Sequence, residues 1–144
     1  MTEKLIKNQK GFTILELVIV LVIIGILGAF LYPQFSGKEN SSKITSVETE
    51  TLRWYEAGKS YVSNHGQTDY TNATKANIVS DNLKADNNNA FGKTWTVAAK
   101  TGDATKLEVV TNADTAASAT AVADKLTAKG YTSTASGTQV TTLF

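Results

Sequence analysis

The chain has no cysteine, one proline, one methionine and one histidine in 144 residues, and each scarcity closes off a class of explanation. Without cysteine there is no disulfide framework, no thiolate zinc site and no cysteine nucleophile, so any folded domain here must hold by packing alone. The single histidine, His65, falls in an expected loop and lacks the serine, cysteine and aspartate arrangement that would make it a catalytic base. Charge of one sign is missing too: 14 basic residues face 13 acidic ones. Phosphate backbones are held by a basic face, which this balance does not supply. Neither catalysis nor nucleic acid binding is the expected activity, and no cofactor or metal is expected. Asp81, Asp86 and Asn87 to Asn89 lack the spacing of an EF-hand loop and read as a solvated loop, with a weak calcium site as the alternative.

What is present is concentrated near the N-terminus. From Phe12 to Tyr32 there are 21 residues in which only Thr13, Glu16, Gly25 and Gly28 interrupt an apolar run. As a helix this run is about 31 Å long, enough to cross a hydrocarbon core. A secretory signal ends in small residues at its cut site, whereas this block ends in Leu31-Tyr32-Pro33-Gln34, so it is expected to stay. Lys4, Lys7 and Lys10, with Glu3 as the single acid, precede Gly11 and hold that end in the cytoplasm. Gly11 offers a peptidase an unhindered backbone. Glu16 is the only ionisable side chain in the span, and a charge at the centre of a membrane helix costs about 2.5–3.5 kcal/mol, less near an end. It needs a partner. Gly25 and Ala29 allow close helix approach, and Pro33 removes an amide, so the helix is expected to bend there.

Beyond Pro33, Ile44, Val47, Trp54, Gly58 and Tyr61, joined by Leu52, Tyr55 and Val62, follow helical spacing. Glu48, Arg53, Glu56 and Lys59 are expected on the opposite face, and Asn64-His65-Gly66 marks the stop. One long helix is therefore expected over about residues 12–63. Its apolar stripe needs a cover, which the rest of the chain supplies: a short helix from Lys75 to Lys84, strands at 94–100 and 106–111, a helix from Asp114 to Lys129 stopped by Gly130, and a closing hairpin around Ser136-Gly137. The fold class is α+β, a long helix on a small antiparallel sheet.

The run Gly11-Phe12-Thr13-Ile14-Leu15-Glu16-Leu17-Val18-Ile19-Val20 resembles the prepilin motif of type IV pilins and type II secretion pseudopilins. The resemblance implies a pilin fold, and a leader over residues 1–11 that a prepilin peptidase removes between Gly11 and Phe12. It further implies N-methylation of Phe12, a transmembrane and assembly helix over 12–32, and a globular domain over 33–144. Glu16 would aid assembly by neutralising the terminal amine of a neighbouring copy, and the helix would melt locally near Pro33. The implied partners are copies of the chain itself, the peptidase, an assembly platform and the bacterial inner membrane, which holds the precursor before it joins an extracellular filament. A pseudopilin or minor pilin of a secretion or DNA-uptake machine is the alternative, and a membrane-anchored binding domain is the alternative of another class. The absence of cysteine departs from the many pilins that close a C-terminal loop with a disulfide.

Overall fold

A computed structural model describes residues 11–144; inside the long helix, nothing of the side chains of residues 32–37 is described. Helix α1 spans Ile14–Asn64 and α2 spans Lys75–Ser80; strands β1 (Thr96–Lys100) and β2 (Asp103–Asn112), helix α3 (Ala116–Ala128), and strands β3 (Thr132–Ser136) and β4 (Gln139–Leu143) follow. The order of helix, short helix, hairpin, helix and hairpin is the expected one. Among the described residues the chain divides into two units, one ending at Lys38 and one running from Glu39 to Phe144. Helix α1 runs unbroken through Pro33, the position of the expected bend.

The helix ends follow from local chemistry. At the end of α1 the amide of Gln67 bonds the Val62 carbonyl and that of Gly66 bonds Ser63, with Gly66 at a φ of +60°. This is the left-handed stop that glycine takes without a Cβ penalty. Helix α3 repeats it: Thr115 caps the start by accepting from the Ser118 amide, and Tyr131 bonds back to Leu126 beyond Gly130. Helix α2 stops at Ser80, shorter than expected, because Asn82 takes the left-handed conformation at φ +55° and Leu83 bonds back to Ile78. Asparagine tolerates that conformation, so the apolar spacing through Leu83 is not continued as helix.

The sheet order is β1-β2-β4-β3 with every pair antiparallel. Strand β2 begins at Asp103, earlier than expected, since the turn needs only Thr101 and Gly102. Ile44, Val47, Trp54, Ala57 and Tyr61 of α1 share one core with Val97, Leu107, Val109 and Val140 of the sheet and with Ala119, Val122, Ala123 and Leu126 of α3. Gly58 brings α1 close to β2: a Cβ built there would stand 2.6 Å from Leu107 Cδ2. A glycine is kept inside a helix, where it costs about 1 kcal/mol against alanine, because the buried Leu107 occupies its space.

Glu48 corrects the expected charge pattern, for it is buried, at 5% exposure. Its carboxylate lies 3.5 Å from Lys125 Nζ and 2.5 Å from Lys129 Nζ, so it ties α1 to the end of α3. Burial pushes its pKa up, but Lys129 and then Lys125 outweigh burial and hold it below the ordinary glutamate value. A depressed carboxylate pKa adds stability that is fully present above the ordinary value and is lost as pH falls through the folded one. Glu48→Gln is expected to cost about 1.5 kcal/mol at neutral pH, the low end for charged hydrogen bonds because both lysines are half exposed. It is also expected to flatten the acid limb of stability against pH. Denaturant unfolding of the detergent-solubilised chain, followed by Trp54 and Trp95 fluorescence at neutral and acid pH, measures both; an unchanged acid limb contradicts the assignment.

Candidate functional site

Glu16 stands in the first turn of α1, and Thr13 immediately precedes the helix. The Thr13 carbonyl accepts the first helical bond, from the Leu17 amide at 3.2 Å, which makes Thr13 the cap. Its hydroxyl accepts from the Glu16 amide at 3.2 Å. In return, Glu16 Oε2 accepts from the Thr13 amide at 2.9 Å and from the Thr13 hydroxyl at 3.0 Å. This reciprocal Thr-x-x-Glu arrangement is a capping box, and it satisfies amides that a helix start leaves without partners. Glu16 thus has a role inside its own chain. Both bonds fall on Oε2, and Oε1 accepts none from any described residue.

Around this head the surface is apolar. Ile14–Leu31 has a mean hydropathy of 3.0 and none of it is buried; Phe12 and Ile14 are each 85% exposed. By length and composition this stretch is long and apolar enough to cross a membrane. Exposed apolar area on this scale marks a surface that something else covers. Gly25 and Gly28 have open space where a Cβ would stand. Gly11 and Phe12 lie outside the helix and are exposed, so the bond between them is not locked in helical hydrogen bonding.

The polar residues of the second unit are engaged separately. Asp81 faces His65 Nε2 at 3.4 Å and Asp86 pairs with Lys75 at 2.7 Å, while His65 Nδ1 meets the Tyr61 carbonyl at 3.0 Å. Asn89 is buried and spends its amide on Thr111 and on the Asn112 carbonyl, both at 2.8 Å, while its Oδ1 accepts from the Phe91 and Lys93 amides. It latches the loop before β1. Among the described residues, no group of three or more histidine or acidic side chains is placed to hold a metal ion.

Thr13 is the functional residue that spacing made legible and that the cut-site reading passed over; the Thr-x-x-Glu signature before an apolar run is its signal. Thr13→Ala is expected to cost the helix head about 1 kcal/mol. It would raise amide hydrogen exchange at Leu15 and Glu16 in detergent micelles while leaving exchange in β2 and β4 unchanged. Unaltered exchange at the head contradicts the capping role.

A family model described as the prokaryotic N-terminal methylation motif matches residues 6–32. The chain is similar to a type IV major fimbrial protein of Dichelobacter nodosus, 36% identical over 83 residues, which cover 47% of this chain and 53% of that protein. It is similar to a type IV major pilin protein of Myxococcus xanthus, 41% identical over 56 residues, covering 39% of this chain and 26% of that one. It is also similar to a type II secretion system core protein G of Pseudomonas aeruginosa, 41% identical over 39 residues, covering 27% of this chain and 28% of that one. The matched stretches thus span from about a quarter to about half of these relatives. No solved structure matches the chain.

Proposed function

For a chain whose N-terminal segment belongs to the type IV pilin and type II secretion pseudopilin family, we propose the role of a structural subunit that polymerises through α1 into a type IV pilus-like extracellular filament. A prepilin peptidase removes residues 1–11 by cutting between Gly11 and Phe12, and Phe12 is then N-methylated. Residues 12–32 hold the subunit in the bacterial inner membrane until an assembly platform adds it to the polymer, and residues 33–144 form the globular part. The supporting observation is an apolar stretch, none of it buried, whose head carries a carboxylate with one oxygen that accepts no hydrogen bond from any described residue. Bundling this helix with those of other copies covers the apolar surface, and the amine of a neighbour's Phe12 supplies Glu16 with a counter-charge in a medium where an unpaired one is costly.

A second reading, a pseudopilin or minor pilin of a secretion or DNA-uptake machine, uses the same chemistry and is favoured by the match to a secretion system protein. The proportion of this chain in shed filaments separates the two. A membrane-anchored binding domain, the reading of another class, has no use for the carboxylate.

Glutamine also closes a capping box, so Glu16→Gln removes the charge and keeps the helix head. The variant is expected to accumulate in the membrane fraction at normal levels and to yield no filament by electron microscopy of sheared cells. Normal filament yield from Glu16→Gln would mean that the carboxylate serves only as a cap.

A further inference from the structure

The Glu16 carboxylate is folded back over the start of its own helix. Its Oε2 lies 2.9 Å from the Thr13 amide nitrogen and 3.0 Å from the Thr13 hydroxyl, while Oε1 accepts no bond from any described residue. The next backbone nitrogen toward the N-terminus is that of Phe12. Covalent geometry keeps it within about 3.7 Å of the Thr13 nitrogen, and so within about 7 Å of Oε2. Rotation about the single ψ torsion of Phe12 carries it toward the carboxylate. Phe12 lies outside α1 and is exposed, so no helical bond opposes that rotation. In the precursor this nitrogen is an amide. A cut between Gly11 and Phe12 makes it a charged amine, one residue from a carboxylate already turned to that end of the helix.

We propose that a subunit alone in the membrane pairs Glu16 with its own Phe12 amine, and that assembly exchanges this internal pair for one with the amine of a neighbouring copy. The inference deepens the filament reading and rests on it, since the cut is what frees the amine. A partner tethered beside Thr13 is present at a high effective concentration, whereas a neighbour's amine has to arrive by diffusion. An unpaired charge at the edge of an apolar medium is costly, so the internal pair forms as soon as the cut creates it.

The exchange is then close to neutral in charge, because one amine is released for each one gained. What drives it is the cover that bundling gives to Ile14–Leu31, none of which is buried in the single chain. The internal pair therefore works as a guard against premature association. Two heads that collide gain nothing from their charges, and a copy is retained only where the whole apolar stretch is covered as well.

Glu16→Gln keeps the capping box and removes the charge, so it isolates the pair from the helix head. The wild-type and Glu16→Gln chains beginning at Phe12 are dispersed in nonionic detergent at no more than one chain per micelle and treated with a limiting amine-acetylating reagent. Labelling of Phe12 is read by mass spectrometry against the exposed Lys93 as internal reference. An amine held as an ion-paired ammonium is not the free nucleophile, so wild-type Phe12 is expected to label about fivefold more slowly than in Glu16→Gln, the upper end for an exposed pair. The ratio is expected to stay the same on dilution. Equal labelling of the two chains overturns the proposal, and so does a difference that vanishes on dilution, which marks pairing between copies. Wild-type filaments together with equal labelling leave the filament reading standing and refute the internal pair; dilution-independent protection in a chain that yields no filament does the reverse. A Gly11–Phe12 bond left uncut in cells overturns both.

Discussion

A carboxylate at the head of an apolar helix has to be solvated by something, and this one requirement organises the rest of the chain. Water solvates Glu16 only while the helix head stays at a membrane surface. Inside a bundle of apolar helices it needs donors. Thr13 provides two of them to a single oxygen, which fixes the start of α1, and the second oxygen accepts none from any described residue. The exposed stretch that follows, Ile14–Leu31, has the same incompleteness in apolar form. In the proposed filament, other copies of the same helix would meet both needs together, which is why the carboxylate and the apolar surface belong to one account.

The second unit solves the same electrostatic problem within itself. Glu48, further along α1, is buried against two lysines brought by α3, and so its desolvation is offset by partners that arrive with the fold. The comparison separates two uses of a carboxylate on one helix: Glu48 closes a domain, and Glu16 leaves one closed only in part.

Local signals made much of this legible. The helical spacing from Ile44 to Tyr61 named the buried face of α1 because aromatic and aliphatic side chains at that period have one place to go. Gly66 and Gly130 marked helix ends because each takes a left-handed conformation that other residues avoid. Asn82 takes the same conformation, but asparagine is ambiguous in sequence, and α2 was therefore expected to run to Lys84. Glu48 was expected on the solvent face because charge sorts residues by class, while its partners Lys125 and Lys129 are distant in sequence and meet it only through tertiary packing. Thr13 was legible in its spacing to Glu16, yet the same residues also spell a peptidase site, and that reading explained the glutamate first.

The most direct test of the central claim is a filament map at side-chain resolution. The account predicts that each subunit begins at Phe12 and that its terminal nitrogen lies about 3 Å from the Glu16 carboxylate of a neighbouring copy. A map in which Glu16 contacts only its own Thr13, with every neighbouring Phe12 nitrogen beyond hydrogen-bond reach, would contradict it.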